Sequence, residues 1–168
     1  MTTAQKLVAA ARAQVGDRYV ADYVSLGYPG GDVPKGQGAC TDVLVRALRA
    51  AGYDLQKLVH EDMKRNFGLY PKKWGLRRPD PSIDHRRVPN LRVYFGRLGK
   101  VLPLDRDFAP GDILTWDLTP GGLTHCGIVS DKKNANGTYW ILHNIGPIAS
   151  EDDRLFAWKI TGHYRFPK

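Results

Sequence analysis

A chain of 168 residues with 42% hydrophobic and 25% charged side chains can bury a sizeable core, and this is not the composition of a disordered or fibrous protein. Its two cysteines exclude a disulfide framework, and no apolar run approaches the length of a membrane span. A net charge of +8 and a pI near 9.6 suit an anionic partner, but the Lys and Arg residues are scattered and form no basic arm or aromatic-spaced platform, so nucleic acid is not the expected one.

Lys6 and Arg12 bracket a run of only Leu7 to Ala11, so the N-terminus does not read as a secretory signal. Residues 4–15 instead form an alanine-rich amphipathic helix, with Gly16 as its stop. Residues 17–39 are loop, carrying Tyr19, Tyr23 and Tyr28 ahead of a glycine cluster. From Cys40 the apolar positions 40, 43, 44, 47, 48 and 51 follow the spacing of a helix with one buried face, ending at Gly52. Thr41, Asp42, Arg46 and Arg49 fall on the other, polar side, where Asp42 complements the helix dipole. A second helix starts at Asp54 as N-cap and presents Leu55, Leu58, Val59 and Met63.

Four prolines interrupt the basic stretch from Gly68 to Pro89, so regular structure is not expected there. Trp74, Ile83 and the Asp84-His85-Arg86-Arg87 run suggest an ordered cleft wall. Asn90 caps a short helix that ends near Gly99. Then come four β-rich runs, at 112–116, 124–130, 138–143 and 159–166, separated by Gly, Asn and Pro turns and read as an antiparallel meander. Helices first and strands afterwards give an α+β fold with the helices packed on one sheet face. We expect one domain over 1–168 with an irregular insertion at about 68–99.

A thiol at a helix start sits among unpaired N–H groups at the positive end of the dipole, which favours the thiolate. The alternative is a small buried residue on an apolar stripe. A nucleophilic Cys needs a base in hydrogen-bond reach and a group to orient that base. His125 and His143 lie in neighbouring strands. A five-residue loop from Lys132 to Asn136 brings them level, whereas a two-residue turn at Asn136-Gly137 offsets them by several positions. Asp131 is the reserve for the orienting role, His60 reads as a surface residue, and His163 and Cys126 read as structural.

Cys40 at a helix start, Pro110-Gly111-Asp112-Ile113, Thr124-His125-Cys126-Gly127-Ile128-Val129 and a polar residue in the next strand resemble the NlpC-type and CHAP amidases, papain-like bacterial enzymes that cut peptidoglycan peptides. Tyr28 to Pro34, Cys40-Thr41-Asp42, Ile83 to Leu91 and His143 to Gly146 more closely resemble an uncharacterised bacterial family in that superfamily, over most of residues 15–166. The resemblance implies a papain-like fold with Cys40 as nucleophile, His125 as general base and acid, and His143 as the orienting residue. The Cys40 N–H then supplies one oxyanion donor and Tyr28 or Gln37 another. Asp84, His85 and Arg87 are candidates for binding a substrate carboxylate, the alternative being an internally salt-bridged loop. No cofactor or metal follows; the expected partner is peptidoglycan or another acidic wall polymer, met by a periplasmic or secreted monomer. Cys126 after the histidine departs from the aliphatic residue of the pattern, and Cys40 and His125 are farther apart in the chain than in compact members. Three other readings use the same residues: zinc held by Cys40, His125 and His143; a non-catalytic basic binding module for wall polymer or nucleic acid; and acyl-transferase or esterase chemistry.

Overall fold

The computed structural model describes residues 1–168. Helix α1 (Thr3–Arg12) opens on a capping box, Thr2 accepting from the Gln5 N–H while the Gln5 side chain accepts from the Thr2 N–H. Short strands β1 (Arg18–Tyr19) and β2 (Gln37–Gly38) pair in parallel and carry the chain to helix α2 (Cys40–Ala50). Helix α3 (Leu55–Asn66) is capped by Asp54, as read from the sequence. The proline-broken stretch that follows contains 3-10 turns at Phe67–Leu69 and Asp84–Arg86. Helix α4 (Val88–Leu98) begins two residues before Asn90 because Pro89, needing no N–H partner, fits its first turn. Asn90 is no cap: it is fully buried and donates to the Asp84 carbonyl at 3.1 Å.

The remaining strands are β3 (Lys100–Val101), β4 (Ile113–Asp117), β5 (Thr124–Lys133), β6 (Tyr139–His143), β7 (Ser150–Asp152) and β8 (Lys159–Arg165). They form an antiparallel sheet in the order β3-β8-β4-β5-β6-β7. The four-strand meander needs one correction, since the last strand does not follow β6 but returns beside β4. Asp112, just ahead of β4, fixes this return by accepting from His163 at 2.7 Å and from Arg165 at 2.7 and 2.9 Å. Strands β1, β2, β3 and β7 span two or three residues each, too short for any period to register.

One sheet face packs against the helices through Ile113, Cys126, Ile128 and Leu142, meeting Leu44 and Leu48 of α2 and Leu91 and Phe95 of α4. Each fully buried Leu contributes about 1.5–3 kcal/mol of transfer free energy. The opposite face holds Leu114, Trp116, Val129, Ile141 and Leu155. No helix is long and apolar enough to cross a membrane.

The polar side of α2 is not solvated. Thr41 and Asp42 are buried, and the turn at Asp84–Arg86 covers them. Arg86 grips Asp42 through Nε and Nη2, both at 3.0 Å, while the Thr41 hydroxyl donates to the Arg86 carbonyl at 3.2 Å. Period alone cannot distinguish this, because a helix sandwiched between a sheet and a polar loop keeps the stripe of a surface helix.

Candidate active site

Three local features set Cys40 at the head of α2. Asp42 accepts the Ala39 N–H at 2.7 Å, closing the first turn from within. Gly38 lets β2 lie directly on that turn, since a Cβ there would come within 2.9 Å of the Asp42 Cβ. Asn144 donates to the carbonyls of Asp17 and Gly38, tying this approach to the residue after His143. In the first turn the Asp42 N–H donates to the Ala39 carbonyl at 3.1 Å, while those of Cys40 and Thr41 have no intrahelical partner.

The Cys40 thiol is held well below its ordinary range. A hydrogen bond from the Cys126 thiol is the largest cause; burial opposes it, and the His125 ring and the Cys126 N–H add to the lowering. Hydrogen-bond donors around the sulfur stabilise a thiolate, the condition for a nucleophilic sulfur. Cys126 is pushed correspondingly up by its hydrogen bond to Cys40 and by its own burial. It is a core residue, as expected, but it also bears on the neighbouring sulfur.

His125 and His143 meet, although not level. The register runs Ile128 to Leu142 and Val129 to Ile141, then shifts before Lys133 pairs with Tyr139. The hairpin turns at Asn134, whose side chain accepts from the N–H groups of Asn136 and Thr138. That frame sets the two histidines two positions out of step, on the same side of the sheet, neither level nor several positions apart. Gly127 makes room for the diagonal approach, because a Cβ there would lie 3.1 Å from that of His143. His125 Nε2 lies 2.7 Å from His143 Nδ1, and His143 Nε2 lies 2.6 Å from Asp152 Oδ1.

Asp152 accepts the Nε2 proton of His143, which leaves His143 Nδ1 as acceptor for the Nε2 proton of His125. His125 Nδ1 then carries the free lone pair. Burial, and after it the charge of His125, pulls His143 below the ordinary imidazole range, so its ring is a neutral relay. Trp116 stacks on His125 with centroids 5.4 Å apart, and Trp158 meets both rings edge-on or tilted, keeping water from the pair.

Asp131, the reserve orienting residue, instead pairs with Arg12 at the far end of β5. His143 is the residue in contact with His125, and Asp152, which sequence reasoning missed, contacts His143 in turn; it sits on the three-residue β7, for which the sequence carries no period.

A cleft of about 290 Å³ opens over Cys40 between Tyr19, Trp74, Arg87 and Leu123. Of the predicted ligand-contacting residues only Arg87 lines it. Tyr28 lies edge-on against His60, 4.8 Å between centroids, and the Gln37 amide accepts from Arg18 at 3.1 Å. Tyr19 is the tyrosine of the cleft; burial first, and then the nearby Cys40 charge, raises its phenol above the ordinary value. Asp84 and His85 are buried beneath the wall rather than facing the cleft. Nor do Cys40, His125 and His143 form a zinc site: ring nitrogens 2.7 Å apart share a proton, and no group of three His, Cys, Asp or Glu side chains is placed to hold a metal ion.

A family model described as "Domain of unknown function (DUF1287)" matches residues 7–166. The uncharacterized protein YijF of Escherichia coli K12 is 53% identical over 161 residues, covering 93% of this chain and 78% of that protein. Among solved structures, NlpC1 and NlpC2 of Trichomonas vaginalis each superpose with a TM-score of 0.56 at 13% identity, over 97% and 98% of this chain. A Staphylococcus aureus protein described as similar to a lipoprotein of the NLP/P60 family gives 0.52 at 16% identity over 99% of it. The chain spans less than half the length of these three, 44%, 47% and 42% respectively, and at such identities the likeness is one of fold. The fold is thus the papain-like α+β arrangement of NlpC/P60 domains.

Proposed function

This chain belongs to the DUF1287 family, and from its NlpC/P60-like fold and the residues gathered at Cys40 we propose a cysteine amidase or endopeptidase that cleaves peptidoglycan stem peptides. The observation that carries the reading is the chain Cys40, His125, His143, Asp152, which pairs a lowered thiol with a base of fixed tautomer. The Cys40 thiolate attacks the scissile carbonyl, and the oxyanion forms against the N–H groups of the first turn of α2. His125 holds the thiol proton on Nδ1 and passes it to the leaving amine as the C–N bond breaks. A water molecule then gives a proton to His125 and its hydroxide to the thioester. The C–S bond breaks, the carboxylic acid leaves, and the Cys40 thiolate and the proton on His125 Nδ1 are both restored. Within this reading the enzyme acts as a monomer outside the cytoplasmic membrane, where its +8 charge favours an acidic wall polymer.

Purified peptidoglycan digested with the wild type and with Cys40→Ala, followed by mass spectrometry of the soluble fragments, tests it. New amine and carboxyl termini at one stem-peptide bond, absent with Cys40→Ala, are expected. Intact wall after wild-type digestion, or the same fragments from both proteins, overturns the proposal.

A further inference from the structure

Arg87 lines the cleft with donor capacity unspent. Its guanidinium carbon lies over the Trp74 ring, 4.3 Å from the centroid, a contact that holds the fork without using its donors. Nη1 is buried and has no hydrogen-bond partner. The nearest carboxylate oxygen, Asp84 Oδ1, stands at 4.0 Å and is itself unsatisfied, while Asp84 Oδ2 accepts the Asp80 N–H at 2.6 Å. A buried unpaired donor is costly unless a ligand completes it.

Its position relative to Cys40 is fixed by neighbours in the chain. Thr41 donates to the Arg86 carbonyl, so the residue before one partner and the residue after the other are brought to the same cleft. Arg86 itself is neutralised by Asp42 and adds no free charge. Lys73 lies on the same wall, 5.9 Å from the Trp74 ring. Ile83, Val88, Pro89 and Leu123 supply apolar surroundings in which a charged hydrogen bond is strengthened.

We propose that Arg87, seated on Trp74 and aided by Lys73, binds a carboxylate carried by the substrate beside the scissile amide. This rests on Cys40 being the nucleophile, and it makes the proline-broken segment a specificity wall. A carboxylate gains this charge-assisted contact and the corresponding carboxamide does not, so the site selects the charged form.

Two measurements test it in the full chain. In the first, Cys40 is alkylated by iodoacetate and by neutral iodoacetamide, and the ratio of the two rates is compared between wild type and Arg87→Gln. The ratio falls about tenfold or more in Arg87→Gln and is largely restored in Arg87→Lys, as expected for loss of one charge-assisted contact. An unchanged ratio overturns the proposal, whatever happens to the absolute rates. The second compares cleavage of stem peptides bearing a carboxylate or a carboxamide: wild type prefers the carboxylate and Arg87→Gln loses the preference. A fallen alkylation ratio with no cleavage of any peptide leaves the anion site standing and removes the amidase reading. Cleavage with neither ratio nor preference altered does the reverse.

Discussion

His143 Nε2 stands 2.6 Å from Asp152 Oδ1, and this contact decides which nitrogen of His125 is basic. The carboxylate claims one proton, the next acceptor is thereby fixed, and the lone pair emerges two rings away on His125 Nδ1. Ser150 helps to hold the carboxylate, donating to Asp152 Oδ2 at 3.1 Å. Asp152→Asn presents an amide that can donate to His143 Nε2, reversing the tautomer and setting two N–H groups against each other. The expected result is a fall in kcat of roughly ten- to a hundredfold, with KM little changed. Asp131→Asn, on an exposed pair with Arg12, leaves kcat within about twofold because such pairs contribute little. Equal effects of the two substitutions on kcat would remove the relay.

Much of this was legible in the sequence. The helix start at Cys40, the strands around His125 and His143 and the α+β order all follow from period and punctuation. What was not legible lies where period gives no signal. Asp152 sits on a strand of three residues, and Arg86 reaches Asp42 across a turn that no local pattern predicts. Tyr28 stands nearer than Tyr19 to Cys40 in sequence, yet the parallel pairing of β1 with β2 brings Tyr19 to the cleft instead. Choosing between tyrosines required long-range pairing, which residue types alone do not encode.

Cys126 gives the second prediction. Its thiol is the largest influence lowering Cys40, ahead of His125. Cys126→Ala keeps the position apolar and leaves a small cavity, but removes the donor. A Cys126→Val substitution, which adds about one methyl, also removes it. The pH profile of Cys40 alkylation by iodoacetamide then moves to higher pH, and His125→Ala moves it in the same direction. In the wild type, label appears on Cys40 and not on buried Cys126 at pH values well below an ordinary thiol pKa. A Cys126→Val profile superposable on the wild type would show that the second sulfur is only a space filler.

The Arg86–Asp42 pair is the third. Both side chains are nearly inaccessible, at 2% and 3% exposure, so removing either leaves a buried charge uncompensated. Arg86→Met costs about 3–5 kcal/mol in urea unfolding, and Arg86→Met with Asp42→Leu recovers part of that loss. Recovery is incomplete because Asp42 also accepts the Ala39 N–H. A single-substitution cost below about 1 kcal/mol is the outcome expected only of a solvated pair, and would contradict the packing described here.

Asp84 and His85, adjacent and both 2% exposed, make opposite contributions to the pH dependence of stability. Burial raises Asp84 to about 6 and lowers His85 to about 4. Folded Asp84 keeps its proton to higher pH than the unfolded chain, whose carboxyl titrates near about 3.9. Its contribution is therefore complete in acid and is lost as pH rises to about 6. His85 is the reverse: neutral when buried, it stabilises fully above the unfolded value of about 6.5 and loses this as pH falls through about 4. Each shift spans about two pH units, worth about 3 kcal/mol, and between pH 4 and 6 the two slopes largely cancel in the wild type. Asp84→Asn removes one of them. Its stability relative to wild type should rise with pH by up to about 3 kcal/mol across that window, while His85→Gln shows the opposite trend. Urea unfolding at intervals from pH 4 to 7 measures both differences. If Asp84→Asn runs parallel to wild type throughout, the Asp84 carboxyl is ionised in the fold across the whole range.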